Sequence, residues 1–305
     1  MTLDVAIIGL GKMGSLHLKA FTRLRAEGLI GKIYGADSDA GKSKIYLNVL
    51  DKFFNNINDI KHQHVDLVII ATPTYTHYDF IKKFLPITHV LVEKPLAESY
   101  EKFQEIKHLV KKVKNRLFIG HIERFNPVTD YLKRIISSNV QYLSFIRTSS
   151  KPLKPENYVN VVLDLMVHDV DLLSYIFSLK DTNKVSILKV LSFLEDKFIT
   201  TSHATLKIDK TLITLYSSWN YQRKYRLLKI LTDHGIYSVD FHNRKVETPY
   251  STLFWKGIDQ VYEEDKHVVL SIINNEDSII EFNNCLFSYE LIFKILSSTL
   301  IIEKS

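Results

Sequence analysis

The stretch Gly9-Leu10-Gly11-Lys12-Met13-Gly14 constrains this chain more than any other. It holds three of only 10 glycines in 305 residues, where average usage of about 7% would supply roughly 21. Glycine is therefore scarce here, and its clustering needs a local cause. Leu3 to Ile8, just ahead, is an apolar, β-branched run too short for a helix of its own, and Met13, Leu16, Ala20 and Leu24 follow at helical spacing. Strand, glycine turn and helix form the context in which GxGxxG marks a dinucleotide site. Gly9 makes the tight turn, Gly11 lets a pyrophosphate approach the backbone, and Gly14 lets the helix lie close to the sheet. Lys12 and Met13 belong to the same turn, where free N–H groups and the helix dipole favour phosphate.

A second strand is expected over Lys32 to Ala36, and Asp37 at its end lies about 20 residues beyond Gly14, where an acid accepts the adenosine ribose hydroxyls. An ionised Asp37 repels a 2′-phosphate, which favours NAD over NADP. Lys42 and Lys44 nearby leave NADP open, and Asp37 can also be read as opening the Asp37-Ser38-Asp39 turn. Strand and helix keep alternating through Val65 to Ala71, Phe80 to Phe84, Val90 to Val92, Phe103 to Val113 and Leu117 to Ile119, so a doubly wound parallel (Rossmann) sheet is expected over residues 1–120. Ligands of such sheets lie beyond the carboxyl ends of the strands. Three polar segments fall there: Thr72 to His77, Glu93-Lys94-Pro95 and Gly120 to Phe125.

Composition limits the alternatives. With 46% hydrophobic and 24% charged residues the chain is globular. No apolar run reaches the roughly 18 residues of a membrane span, and Met1 to Ile8 does not resemble a signal peptide. The lone Cys285 forbids an intramolecular disulfide and fits a cytoplasmic address. The net charge of +6 is dispersed rather than gathered on one stretch, which argues against nucleic acid and suits an anionic small molecule.

Residues 121–305 read differently: a helix around Val128 to Ile136, a strand over Val140 to Thr148, a proline-interrupted loop from Lys151 to Tyr158, then strands at Ser186 to Phe193, Phe198 to Ile208, Thr211 to Trp219 and Tyr225 to Leu231. This predicts a substrate-binding and oligomerisation α+β domain with a mostly antiparallel open sheet, packed so that the cleft between the domains holds the site. If the chain is helical from about Asp164, then Asp164, His168 and Asp171 share one face of an otherwise apolar helix while Asp169 points elsewhere. Such a stripe serves a structural hydrogen-bonded set, acid/base catalysis or a metal; too few ligands gather for zinc or iron, and no metal is expected.

GLGKMG, the Ala71 to His77 stretch and Glu93-Lys94-Pro95, together with Asp164-x-x-x-His168-Asp169-x-Asp171-Leu172-Leu173, resemble the Gfo/Idh/MocA family of nicotinamide-dependent sugar and polyol oxidoreductases. The resemblance implies a catalytic trio of Lys94, Asp164 and His168. His168 is the natural general base because imidazole titrates near 6.5, with Lys94 stabilising an alkoxide and Asp164 orienting one of the two. It further implies that Thr72, Thr74, His77, Glu93 and Lys94 face the cofactor and that Lys94, Arg124, Asn126, His168 and Asp171 face substrate. Arg124 can equally form a hinge salt bridge, His77 at its helix start can equally be structural, and Trp219 is read as sheet core or a dimer contact before a uracil platform.

Gly120 to Pro127, Val161 to Leu173, and Ser218-Trp219 followed by Arg226 resemble, more narrowly, the UDP-N-acetylglucosamine 3-dehydrogenases. This implies oxidation of a UDP-sugar at C3 for lipid A or another surface glycan, a PLP-dependent aminotransferase acting on the product, and a homodimer or homotetramer. The loop Ser149 to Asn160 carries Ser150-Lys151-Pro152-Leu153-Lys154-Pro155 where a glycine- and arginine-rich stretch is expected, and Asn283-Asn284 stands where a glycine is usual, in a turn that asparagine tolerates. A dehydrogenase or reductase of a free sugar or polyol and a non-catalytic NAD(H)-responsive protein are the competing readings.

Overall fold

The computed structural model describes residues 2–135, 139–157 and 159–303; the expected helix end at Ile136 and loop end at Tyr158 lie outside them. Along the chain come β1 (Leu3–Ile8), α1 (Lys12–Ala26), β2 (Ile30–Ala36), the short α2 (Lys42–Ile45), β3 (Lys52–Phe54), β4 (Leu67–Ile70), α3 (His77–Phe84), β5 (His89–Glu93), α4 (Tyr100–Val110) and β6 (Leu117–Gly120). These strands pair in the order β3-β2-β1-β4-β5-β6, all parallel. That is the doubly wound order, which reverses between β1 and β4, so the crevice for a ligand opens beside Gly9 and Ala71. Both faces of the sheet are covered, and accordingly β4 is a continuous buried apolar run, Leu67-Val68-Ile69-Ile70.

The chain continues with α5 (Pro127–Ile135), β7 (Val140–Ser150), a π-helical turn (Val162–Met166) running into α6 (Val167–Ile176), β8 (Val185–Glu195), β9 (Phe198–Ile208), β10 (Thr211–Ser218), β11 (Asn220–Thr232), β12 (Gly235–Asp240), β13 (Lys245–Glu247), β14 (Thr252–Phe254), α7 (Gln260–Ile273), α8 (Phe282–Ser297) and β15 (Thr299–Glu303). A nine-stranded sheet forms in the order β14-β13-β12-β11-β7-β10-β9-β8-β15. It is mostly antiparallel, as expected, with parallel pairs only at β7/β10 and β8/β15.

Two compact units result: residues up to Ile122 with Asp259–Asn284, and Glu123–Ile258 with Cys285 onward. This differs from a single division at residue 120. The physical cause is α7, whose Tyr262 hydroxyl donates to Glu27, whose Lys266 also reaches Glu27, and whose Asp265 meets His17 of α1. α8 ends at Ser297, and the mostly β-branched Thr299-Leu300-Ile301-Ile302 run extends the sheet beyond it. One further expectation needs correcting. Asn283 and Asn284 lie in the first turn of α8 rather than in a left-handed turn, and Asn284 Nδ2 donates to Ser278 O.

Candidate active site

In the first unit the glycine turn is set by what its neighbours leave room for. Gly9 has φ +87°, and a Cβ there would lie 2.8 Å from Ala71 O. A Cβ on Gly14 would stand 1.8 Å from Gly9 O, so the helix can start only where that atom is missing. Gly11 is the opposite case: its Cβ position meets nothing within 4 Å. The open space sits at the N-terminus of the 15-residue α1, whose N-cap is Gly11, whose first turn has no acidic residue and which no described side chain caps. This cradle fits a pyrophosphate. Lys12 and Met13 form the first turn beside it.

Asp37 is held at the same edge. Its Oδ2 accepts from Leu10 N at 2.7 Å and from Lys42 Nζ at 2.6 Å, and its Oδ1 accepts from Asp39 N at 2.9 Å. Burial pushes the carboxyl up, but Lys42 and the two backbone donors outweigh this and leave it below the usual aspartate range. Asp37 therefore fastens the glycine turn and forms the Asp37-Ser38-Asp39 turn besides.

At the ends of β4 and β5, Thr72 Oγ1 and Thr76 Oγ1 share a hydrogen bond at 2.6 Å, and Thr74 is buried. His77 has Nδ1 2.8 Å from Pro95 O and Nε2 2.9 Å from Thr72 O, and burial lowers its pKa despite these carbonyls. The imidazole braces two loops and is 1% exposed. This corrects its expected place against the cofactor, since neither ring nitrogen is left facing outward. Glu93 closes β5 beneath Lys94, and Gly120 lies alongside it.

Sequence reasoning missed His17. The expected apolar stripe included Leu16, but Leu16 is 40% exposed and His17 is fully buried, so the sheet-facing face of α1 runs through Gly14, His17, Phe21 and Leu24. The signal was present: Gly14, taken as the close-packing residue, puts position i+3 on the same face.

The second unit carries the acid/base candidates. A π-turn over Val162–Met166 leads into α6, and Asp164, His168 and Asp171 are all buried there. Asp164 Oδ2 accepts from Trp219 Nε1 at 3.0 Å. Asp169 pairs with Arg147, whose other partner is Glu123, and Arg226 reaches Glu123 as well. Asp171 accepts from Arg124 through both carboxylate oxygens and from Ser288 Oγ at 2.9 Å. Asp169 and Asp171 are 2% and 1% exposed, whereas Asp164 and His168 keep 7% and 8%, so it is this pair that retains a path to solvent.

Three residues expected to face substrate are used otherwise. Arg124 and Asp171 are buried against each other, and the aspartate lifts the guanidinium pKa in spite of burial. Asn126, 2% exposed, has its Oδ1 accepting from Val128 N at the start of α5 and its Nδ2 donating to Glu123 and Phe241 O. Arg124 and Asp171 thus support α6 from inside, and Asn126 caps α5. Trp219 is sheet core, as the stronger reading had it, with the added task of fixing Asp164.

Residues 3–121 match the family described as "Oxidoreductase family, NAD-binding Rossmann fold". The matched segment is the Rossmann part of the first unit. Among curated relatives, UDP-N-acetylglucosamine 3-dehydrogenase of Acidithiobacillus ferrooxidans is 26% identical over 241 residues, covering 78% of this chain and 74% of that protein. Its crystal structure superposes with a TM-score of 0.82 over 98% of both chains at 19% identity. The scyllo-inositol 2-dehydrogenase (NAD(+)) of Bacillus subtilis is 27% identical over 58% of this chain and 55% of its own length. A 3-ketoreductase from Actinomadura kijaniata, crystallised with NADP and TDP-benzene, has a TM-score of 0.87 over the whole of both chains at 13% identity. These relatives are oxidoreductases by name, and residues 3–121 of this chain match the NAD-binding Rossmann domain.

Proposed function

We propose that the chain oxidises the C3 hydroxyl of UDP-N-acetylglucosamine with NAD, yielding a 3-keto sugar for a PLP-dependent aminotransferase in lipid A or other surface-glycan synthesis. The observation that carries this reading is the likeness to UDP-N-acetylglucosamine 3-dehydrogenase over most of both chains. When bound in the Gly9 to Gly14 cradle, NAD supplies a hydride acceptor. The protein's own residues handle the proton. His168 accepts it from the C3 hydroxyl, a role supported by its residual exposure beside a polar, anchored Asp164. Lys94, an ammonium at the end of β5, stabilises the developing alkoxide. Asp164, fixed by the indole of Trp219, orients the acid/base group. Thr72 and Thr74 border the nicotinamide side, Glu93 sets the turn that carries Lys94, and Arg124, Asn126 and Asp171 act by holding α5 and α6. Assembly as a homodimer or homotetramer through the nine-stranded sheet is supported by exposed Leu188, Leu212 and Ile236.

A second reading, oxidation of a free polyol, is favoured by the inositol dehydrogenase relative. One experiment separates them: nicotinamide absorbance with NAD and, separately, UDP-N-acetylglucosamine, UDP-N-acetylglucosaminuronic acid, myo-inositol and glucose, with hydroxylamine trapping any ketone. NADH formed only with UDP-N-acetylglucosamine supports the proposal. A rise only with myo-inositol or glucose replaces it with the second reading, and silence with all four favours an NAD(H)-responsive binding protein.

A further inference from the structure

His17 sits between two carboxylates inside the first unit. Its Nδ1 lies 2.9 Å from both oxygens of Asp265 on α7, and its Nε2 lies 3.0 Å from Glu93 Oε1 at the end of β5. The His17 and Asp265 side chains are 0% exposed and that of Glu93 is 9% exposed. A neutral imidazole carries one N–H and an ionised carboxylate only accepts, so both contacts are satisfied together when the ring holds both protons. Burial works against that charge, but Asp265 and then Glu93 more than offset it and hold the ring well above its ordinary titration range. The charged groups acting here are Asp265 of α7, which Asp259 at the start of that helix also influences, and Glu93 of β5, which bears in turn on His77.

The other side of Glu93 is equally confined. A Cβ on Gly120 of β6 would lie 3.3 Å from both Glu93 Cδ and Oε2. The carboxylate is thus pinned between an imidazole on α1 and the bare backbone of β6. The sheet does not require this: β5 and β6 are joined by their own ladder, and a buried ion set is often no more stabilising than apolar residues of the same volume. What the set does specify is the conformation of the residue next to Lys94.

We infer that His17 and Asp265 are positioning residues for the Glu93-Lys94-Pro95 turn: a buried imidazolium, seated on Asp265, holds the Glu93 carboxylate in one orientation and thereby aims Lys94. This rests on the proposed role of Lys94 and adds two residues, from α1 and α7, that touch neither substrate nor cofactor.

The test has two arms. In the first, His17→Gln, Glu93→Gln and the double variant are compared by kcat and KM with the sugar that turns over, alongside NADH affinity and thermal stability. His17→Gln is expected to lower kcat by about 10- to 100-fold, the cost of a small misplacement, with KM and NADH affinity within about threefold. The double variant is expected to be no slower than Glu93→Gln, because His17 acts through Glu93. An unchanged kcat in His17→Gln, or losses that multiply, overturns the inference. If His17→Gln does not fold, Asp265→Asn asks the same question. The second arm needs no substrate: 15N-histidine NMR of the resting protein should show both His17 ring nitrogens protonated at pH 7, above the ordinary imidazole value, and a neutral ring at pH 7 overturns the inference. Should no sugar turn over, the NMR arm still decides His17, and the failure belongs to the functional proposal.

Discussion

The start of α1 and the turn into α6 both place chemistry at the beginning of a helix, by opposite means. At α1 the site is backbone and empty space: Gly11 leaves room, and Gly9 and Gly14 are glycine because a Cβ would strike a carbonyl. At α6 the site is side chains, and each is aimed by a partner far away in sequence: Asp164 by Trp219, Asp169 by Arg147, Asp171 by Arg124 and Ser288. A backbone site is specified by which residues are missing a side chain, and a side-chain site by who arrives from elsewhere in the fold.

The largest effect is expected where side chains do the chemistry. His168→Ala should lower turnover by about 10²- to 10⁴-fold and leave NADH affinity near that of the parent, read by steady-state kinetics and fluorescence titration; a retained rate removes His168 as the base. Next comes the ion network behind it. Arg147→Met strands Glu123 and Asp169 in the interior and should cost about 3–5 kcal/mol of stability in urea unfolding, whereas intact stability would mean Arg226 alone suffices for both acids. The backbone site should respond in the reverse manner. Gly11→Val fills the open space, so dinucleotide affinity falls by about 10- to 100-fold, or roughly 1–3 kcal/mol, while thermal stability holds; equal affinity would show that phosphate does not approach there.

A smaller change sharpens the comparison. Trp219→Phe keeps an aromatic ring but removes the N–H that fixes Asp164 and leaves a small cavity, so it should cost about 1–3 kcal/mol of stability with a drop in kcat rather than in NADH affinity. The smallest effect is read in pH. Since the folded pKa of His17 is raised, its stabilisation is fully present below the ordinary value of about 6.5 and is lost as pH rises through the folded value. Unfolding free energy should therefore fall on the alkaline side in the parent and fall less in His17→Gln.

The same contrast explains what could be read from the sequence. The glycine turn, the doubly wound sheet and the mostly antiparallel second sheet follow from local spacing and alternation, and they stand as expected, with Asp37 directly after β2. In the α6 stripe the spacing places the residues on the helix but not with their partners: Asp164 meets Trp219, and Asp171 meets Arg124 and Ser288. Arg124 and Asn126 looked like substrate contacts because nothing local reveals that Asp171 and Phe241, 47 and 115 residues away, claim them. The burial of His17 could be read from Gly14 three residues before it, but its role could not, since its partners lie 76 and 248 residues away. Residues whose role depends on distant partners are invisible to periodicity.

The central claim, hydride removal from C3 of a UDP-amino sugar, is tested most directly with UDP-N-acetylglucosamine carrying deuterium at C3. Mixed with the protein, NAD and hydroxylamine, it should yield deuterated NADH by mass spectrometry together with the trapped 3-keto sugar. Label retained in the sugar, or unlabelled NADH, would contradict the account.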